Sequence, residues 1–325
     1  INYHKAMLRE NQTLINELYL VGFGDLHNFN IILFAVVLII FIMALMSNDL
    51  VIILVASCKS LHSPMYFFLT QLSLSEVLFT SNIVPNMLRL ILAGGGTMSV
   101  NGCITQFYLL CAPTIAQCLL LAAMSFDRYV AICKPLHYTS VLTFRLQLHI
   151  VMFCWTSGFT LALPIDIFLH KLQFCHSNVI NHFYCDIAPV LELSCSDTSS
   201  VKLLTSLVSM PVVLLPFTFI IATYISIIFT ILRIPSNHGR QKAFSTCSSH
   251  LIVVSMYYGT LTTIYIVPTG EHSMNANKVL SLLYSLVTPL FNPIIYSLRN
   301  QDIRRAISNF LDFTQSFFLI NHKIP

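Results

Sequence analysis

Charged side chains are the scarcest class in this sequence. Asp, Glu, Lys and Arg make up 9% of its 325 residues, 13 acidic and 17 basic, whereas a soluble domain carries about a quarter. So few charges would not cover the surface of a water-soluble fold of this size, which excludes soluble enzymes and nucleic-acid-binding proteins. The net charge of +4 is also too small to indicate a nucleic-acid partner. Since 56% of the residues are hydrophobic, we interpret the chain as an integral membrane protein whose surroundings are the lipid bilayer.

Catalytic and cofactor-binding motifs are missing as well. The sequence contains no P-loop, dinucleotide-binding or Ser/His/Asp pattern, and its His residues show no metal-ligand spacing. We therefore expect no enzyme activity and no cofactor. Residues 1–28 also lack an apolar run long enough for a cleavable signal peptide, so we expect the first span to act as the targeting signal. The chain opens on Ile1, and Met7 is a candidate initiator.

Long apolar runs are abundant. A helix needs about 20 apolar residues to cross a bilayer core of roughly 30 Å. Seven runs qualify: 29–57, 65–92, 103–126, 146–169, 203–232, 243–269 and 279–298. They are apolar on all sides instead of alternating over about ten residues, which excludes a transmembrane barrel. We predict an all-α membrane protein with an extracellular segment (1–28), a bundle of seven transmembrane helices (29–298) and a cytoplasmic tail (299–325), in which Asn300 to Phe313 forms an amphipathic helix.

The basic residues predict the orientation, because cytoplasmic loops carry the excess of Lys and Arg. The side with the tail holds eleven: Lys59, Arg128, Lys134, Arg145, Arg233, Arg240, Lys242, Arg299, Arg304, Arg305 and Lys323. The opposite side holds six: Lys5, Arg9, Arg89, Lys171, Lys202 and Lys278. We therefore expect the N-terminus outside and the tail inside.

Two features agree with this orientation. The only glycosylation sequon begins at Asn11, in the segment expected outside. Four cysteines also lie on that side, where disulfides persist: Cys103, Cys175, Cys185 and Cys195. The residues alone leave three ways of pairing them.

Four strings of residues carry a resemblance. Met124 to Cys133 reads Met-Ser-Phe-Asp-Arg-Tyr-Val-Ala-Ile-Cys, and Pro-Met-Tyr begins at Pro64. Lys-Ala-Phe-Ser-Thr-Cys begins at Lys242, and Asn-Pro-Ile-Ile-Tyr begins at Asn292. Together they resemble the odorant receptors, a branch of the rhodopsin-like G-protein-coupled receptors. Asp-Arg-Tyr and Asn-Pro-X-X-Tyr alone indicate the wider class, whereas the other strings are typical of the odorant branch. The long second outer loop is similar to that of the branch that senses volatile odorants.

The resemblance implies a switch at the cytoplasmic end. Asp127 or a polar partner would hold Arg128 in the resting state, beside Tyr129, until outward movement of the sixth helix frees the guanidinium for a G protein. From the residues alone, an interfacial arginine that reaches the headgroups would be the favoured interpretation of Arg128. The other switch candidates are Tyr224, Asn292, Pro293 and Tyr296: the two tyrosines would bind the rearranged site through their hydroxyls, and Pro293 permits a kink. The resemblance also implies two disulfides, Cys103–Cys185 and Cys175–Cys195.

Polar residues inside the spans suggest a second centre. Glu76, Asn48 and Asn292 lie at depths where three helices would meet. Such a cluster is either a static hydrogen-bond network or a sodium or proton site that helps the receptor switch. Asp49 departs from the family's pattern and has no explanation in the sequence, since an unpaired carboxylate in hydrocarbon costs several kcal/mol.

Helical spacing from Arg128 and from the Tyr258-Gly259 pair predicts the ligand pocket in the outer half of the bundle. An apolar wall with a few hydroxyls suits a small, weakly polar molecule that binds mainly by burial. The candidate residues, each of which would otherwise serve ordinary helix packing, are Phe107, Cys111, Thr114, Ile115, Cys118, Val208, Val212, Tyr258, Leu261, Thr262 and Tyr265.

The resemblance implies a plasma-membrane receptor of olfactory sensory neuron cilia. It would bind a small volatile odorant and activate the olfactory stimulatory heterotrimeric G protein, which raises cAMP. A rhodopsin-like receptor for a non-volatile metabolite or hormone outside the nose is the alternative, and only the agonist separates the two. A transporter or channel would show inverted repeats or a charged pore lining, which the sequence lacks.

Overall fold

The fold is described from a computed structural model that covers residues 15–24, 27, 29–175, 177–266, 274–299 and 302–309. Side chains are described for these residues except 242, 245, 246, 263–266, 274–277 and 297–299. Asn11, residues 267–269 of the predicted sixth span and residues 300–301 and 310–313 of the predicted tail helix lie outside the described residues.

Seven long helices form a bundle. They are α1 (Phe29–Ser57), α2 (Pro64–Ala93), α3 (Val100–Cys133), α4 (Phe144–His170), α5 (Ser199–Leu232), α6 (Asn237–Ile266) and α7, which consists of Met274–Leu282, a π turn at Leu283–Val287 and Thr288–Arg299. Residues 302–309 form a final helix, α8. Short helical turns at Lys59–Leu61, Pro135–His137, Tyr138–Val141 and Ile187–Glu192 lie in the connections.

The prediction of a seven-helix membrane bundle is confirmed. Among the described residues, α1 to α5 and the 278–296 stretch of α7 are long and apolar enough to cross a membrane. α6 is long enough but less apolar than the others, because it begins with a polar stretch and contains His250 and several hydroxyl residues. Its 30 residues pack against α3, α5 and α7. α3 to α7 begin or end beyond the predicted apolar runs because polar residues at their ends continue the same helix, whereas α1 has the predicted bounds.

α3 lies at the centre of the bundle and contacts α2, α4, α5 and α6. Its contact with α4 is close because Gly158 has no side chain. A Cβ atom at that position would lie 2.4 Å from the carbonyl oxygen of Ala112. α1 is peripheral, contacts α2 and α7, and leaves many of its apolar side chains exposed.

A small β-sheet covers one end of the bundle, which we call the sheet end. Its strands are β1 (Glu17–Leu20), β2 (Gly96–Ser99) and β3 (Val179–Ile180), in the order β2-β1-β3. β1 pairs antiparallel with β2, placing Leu18 opposite Met98, and parallel with β3, placing Tyr19 opposite Val179. Leu18 and Leu20 of β1 are fully buried. The N-terminal segment therefore joins the α2–α3 connection to the α4–α5 connection, an arrangement that the sequence analysis did not predict.

Candidate functional site

An arginine and an aspartate pair at the opposite end of the bundle, which we call the Arg128 end. The Arg128 Nε atom donates to Asp127 Oδ2 over 2.8 Å, and a second guanidinium nitrogen contacts the same oxygen. The Asp127 side chain is fully buried, and that of Arg128 is 14% exposed. This is the arrangement expected if Asp127 holds Arg128 in the resting state.

The structure adds Tyr138 to this pair. Its hydroxyl donates to Asp127 Oδ1 over 2.8 Å, so both carboxylate oxygens are engaged. Burial and the neighbouring Asp127 carboxylate raise the pKa of Tyr138 above its ordinary value, which keeps the hydroxyl protonated. Nothing in the sequence pointed to Tyr138, because it lies in a connecting helix and not in a recognised motif.

The two tyrosines predicted to join the switch have different surroundings. Tyr224 Oη lies 2.6 Å from His250 Nδ1, and the rings stack, which joins α5 to α6. Tyr296 is buried, and its hydroxyl has no hydrogen-bond partner among the described residues. Both lie within electrostatic reach of Arg128. Tyr129 is half-buried, with the ammonium of Lys134 5.9 Å from its ring centre.

The polar core forms where α1, α2 and α7 meet. The Asn292 side-chain amide donates to Glu76 Oε1 over 2.7 Å, and that of Asn48 donates to the carbonyl of Pro289 over 3.0 Å. All three polar side chains are at most 2% exposed. Pro293, next to Asn292, is buried as well.

Two side-chain oxygen atoms of the polar core lack a hydrogen-bond donor among the described residues. Asn48 Oδ1 and Asn292 Oδ1 are buried without a donor among the described residues, and such a group costs about 1–3 kcal/mol when nothing satisfies it. A carboxylate with spare amide oxygens suits a small cation or a water molecule. Within the described residues, no group of three or more His, Cys, Asp or Glu side chains is placed to hold a metal.

A cluster of hydroxyl-bearing side chains lies between the polar core and the sheet end. Tyr257 of α6 donates to the carbonyl of Thr114 over 3.0 Å and lies 3.5 Å from Cys118 Sγ. The Thr114 hydroxyl is 3.4 Å from that of Tyr284 in α7. Phe79 of α2 packs edge-on against the Tyr284 ring, with 5.2 Å between ring centres. Four helices thus contribute to one apolar site with a few hydroxyls.

The structure brings together only part of the predicted pocket. Thr114 and Cys118 belong to the hydroxyl cluster, whereas Tyr257 and Tyr284 were missed. Ile115 faces away from this cluster, since it packs with Ala112 and Ala162 on the α4 side.

The remaining predicted pocket residues are distributed as follows. Phe107, Tyr258 and Leu261 are buried, Cys111, Val208 and Val212 are half-buried, Thr262 is exposed, and the side chain of Tyr265 lies outside the described residues. Tyr258 packs against Phe217 of α5, with 4.9 Å between ring centres. Its hydroxyl has no hydrogen-bond partner among the described residues.

The α4–α5 connection closes the sheet end as a lid. Disulfides join Cys103 to Cys185 and Cys175 to Cys195, with Cα–Cα distances of 5.4 and 5.8 Å, which are the pairs that the family resemblance implies. Gln106 Oε1 of α3 accepts from the Cys185 amide over 3.0 Å. These contacts fix the lid directly over α3.

Two polar contacts join the lid to α7. Tyr184 Oη donates to Ser281 Oγ of α7 over 3.5 Å, and Lys278 Nζ donates to Asn181 Oδ1 over 2.6 Å. Burial, and secondarily the charge of Lys278, lower the pKa of His182 to about 3. Burial raises the pKa of Asp186, whose carboxylate caps the following helix through the Ile187 amide. The low pKa of His182 keeps its imidazole neutral at physiological pH.

Seven membrane-spanning helices, with Asp-Arg-Tyr at the end of α3 and Asn-Pro-X-X-Tyr in α7, define a receptor of the rhodopsin-like class. The olfactory receptor family model matches residues 37–313. The chain is 43% identical to human olfactory receptor 10A5 over 299 residues (92% of this chain, 94% of the relative). It is 42% identical to human olfactory receptor 10C1 over 304 residues (94% and 97%) and 40% identical to human olfactory receptor 11A1 over 306 residues (94% and 96%). The chain belongs to the olfactory receptor family and is a multi-pass membrane protein of a receptor family.

Proposed function

We propose that this chain is an odorant receptor of the plasma membrane, with the sheet end outside the cell and the Arg128 end in the cytoplasm. It binds a small volatile molecule beneath the lid and activates the olfactory stimulatory heterotrimeric G protein, which raises cAMP. Two disulfides at the sheet end support the orientation, because disulfides persist in oxidising surroundings. The olfactory family also favours the cilia of olfactory sensory neurons as the location.

The observation that carries the ligand assignment is the hydroxyl cluster of Thr114, Tyr257 and Tyr284. It places a few hydroxyl groups in otherwise apolar surroundings, which suits a small molecule with one polar group. Such a ligand gains most of its affinity from burial, at about 25 cal/mol per Å² of apolar surface. Tyr258, one residue along α6, is the candidate side chain to respond beneath the pocket.

α6 connects the pocket to the Arg128 end. Tyr257 and His250 lie on the same helix seven residues apart, a rise of about 10 Å. A ligand that alters the packing of Tyr257 or Tyr258 would thus bias the position of His250 and its bond to Tyr224. Outward movement of α6 would then let Arg128 leave Asp127 and meet the G protein. The ligand contributes only its difference in affinity between the two conformations.

The polar core supports a sodium or proton switch within the same mechanism. Glu76 accepts from Asn292, and the side-chain oxygens of Asn48 and Asn292 have no donor among the described residues. A bound cation would favour the conformation in which these oxygens converge, and rearrangement around Pro293 would release it. Removing the carboxylate with Glu76→Gln should then abolish any sodium dependence of the basal cAMP level.

A cAMP reporter assay across a broad panel of volatiles tests the function, with surface staining of an N-terminal tag in the same cells. We expect a concentration-dependent rise that is lost in Arg128→Ala and retained in Arg145→Ala, which removes an exposed arginine from the same end. A full response from Arg128→Ala at normal surface level would refute the switch assignment. A response to non-volatile metabolites alone would favour the receptor for a metabolite or hormone.

A further inference from the structure

Asp49 is an acidic residue on the membrane-facing surface of α1. Its side chain is exposed, whereas that of the preceding Asn48 is buried and bonds to the Pro289 carbonyl. Asp49 therefore lies at the level of the polar core but points away from it. It is eight residues from the end of α1 at Ser57, a distance of about 12 Å along the helix. Asp49 therefore lies within the stretch of α1 that is long and apolar enough to cross a membrane.

The surroundings of Asp49 on α1 are wholly apolar. Residues three or four positions apart share a helix face, and the face around Asp49 contains Ile42, Met46 and Ile53. These three side chains are 45%, 66% and 49% exposed. Among the described residues, Asp49 takes part in no hydrogen bond and no ion pair. The part of the bundle that the structure describes therefore offers the carboxylate no partner.

A carboxylate in this position is costly unless another molecule supplies a donor. Ionisable groups within spans almost always face a bundle interior or pair with an opposite charge. An isologous dimer through α1 would place Asp49 of one copy opposite Asp49 of the other, which brings two acids together. Charge complementarity instead favours a basic residue within the span of a different protein.

We propose that the α1 face formed by Ile42, Met46, Asp49 and Ile53 is a docking surface for a membrane-spanning helix of another protein. That helix carries Lys, Arg or His at the depth of Asp49, and its ammonium, guanidinium or imidazolium donates to the carboxylate. Apolar side chains around the basic residue pack against Ile42, Met46 and Ile53. The site lies outside the helix contacts that define the ligand pocket and the Arg128 end, and it rests on the proposed function only for the orientation of α1 in the membrane.

A designed single-span helix tests the proposal without knowledge of the natural partner. The probe is a leucine-based transmembrane helix with its C-terminus in the cytoplasm and one Lys about 12 Å from its cytoplasmic end. Matched probes carry Leu or Glu at that position. Energy transfer is measured between a fluorophore on the receptor tail and one on the probe, per receptor at the cell surface. We expect association of the Lys probe to exceed that of the Leu probe by about tenfold.

Receptor variants locate the interaction. Asp49→Asn and Asp49→Leu should abolish the preference for the Lys probe, and Ile167→Leu, on the membrane-exposed side of α4, should preserve it. In Met46→Asp/Asp49→Met the carboxylate moves about 4.5 Å along the same face, and the preferred Lys position should move with it.

Equal association of the Lys and Leu probes with the native chain would overturn the proposal, and this comparison requires no receptor variant. Persistence of the Lys preference in Asp49→Asn would also overturn it.

A second arm measures transfer between two copies of the receptor. We expect the same low transfer for the native chain and for Asp49→Leu. Strong transfer that depends on Asp49 would instead assign the surface to a second copy of the chain and would refute a foreign helix as the occupant.

Discussion

The two ends of the bundle are held together in different ways. At the sheet end, two disulfides and a three-stranded sheet join the N-terminal segment, the α2–α3 connection and the lid. At the Arg128 end, the described contacts that we assign to the switch are side-chain bonds: Arg128 and Tyr138 to Asp127, and Tyr224 to His250. Covalent and backbone links fix one geometry, whereas side-chain bonds can be exchanged for others of similar strength. This difference is what a receptor requires if its ligand end is preformed and its signalling end changes partners.

The largest expected effect comes from opening the Cys103–Cys185 link. Loss of a disulfide that closes an 82-residue separation should cost about 2–5 kcal/mol of stability. We expect Cys103→Ser to remove most of the receptor from the cell surface, as measured by staining of an N-terminal tag. Cys58→Ser, which changes a free cysteine at the Arg128 end, should stain like the native chain. Normal staining of Cys103→Ser would show that the sheet end does not depend on this link.

The lid should also make stability depend on pH. The pKa of His182 is lowered to about 3 in the folded chain, against about 6.5 when unfolded. The unfolded state therefore binds more protons between these values, and stability falls as the pH falls through this window. The slope for one such group is at most about 1.4 kcal/mol per pH unit.

Thermal unfolding of the purified receptor at pH 7 and pH 5 measures this dependence. We expect the drop in Tm on acidification to be smaller for His182→Phe than for the native chain. The raised pKa of Asp186 acts in the opposite direction, but it contributes equally to both proteins and cancels in the comparison. An identical drop in both proteins would exclude His182 as the source.

Between the two ends, the close α3–α4 contact should tolerate no added atoms. Gly158→Val should cost about 1–3 kcal/mol through overpacking, because the new side chain meets the Ala112 carbonyl. The measurement is the Tm of purified receptor, with Gly259→Ala as a control, since a Cβ atom at Gly259 meets nothing within 4 Å. A Tm equal to that of the native chain would mean that α4 can move away from α3 at little cost.

The smallest effect is expected at Tyr138. Tyr138→Phe removes one donor from Asp127 and leaves Arg128 in place, so the resting pair should weaken by about 1 kcal/mol. Basal cAMP per surface receptor should then rise about threefold to fivefold, with little change in Tm. Tyr108→Phe, which removes a long tyrosine hydrogen bond between α3 and α4, is the matched control. A fall in basal cAMP would assign Tyr138 to the active conformation instead.

The features that the sequence predicted are those that depend on local pattern. The apolar runs alone predicted the seven helices, because bilayer thickness fixes the length of a span. The strands were missed because they have two to four residues each and pair across distant parts of the chain. The family motif predicted Tyr258 for the pocket. Neighbouring residues on a helix point about 100° apart, and in the structure it is Tyr257, not Tyr258, that bonds to Thr114. Tyr138 could be identified as a partner of Asp127 only from the fold of the connection after α3, for which the sequence contains no signal.

The π turn at Leu283–Val287 divides α7 into two segments, and its extra residue sets the rotation of one segment relative to the other. A π turn holds one residue more than the α-helical turn it replaces. If the turn relaxed to an ordinary helix, the two segments would rotate against each other by about 100° and shift by about 1.5 Å. Tyr284, within the turn, would then leave Thr114 while Asn292, beyond it, stayed beside Glu76. α7 therefore changes its helical phase between the hydroxyl cluster and the polar core, and a one-residue deletion in this turn would fix the two segments in a single relative rotation.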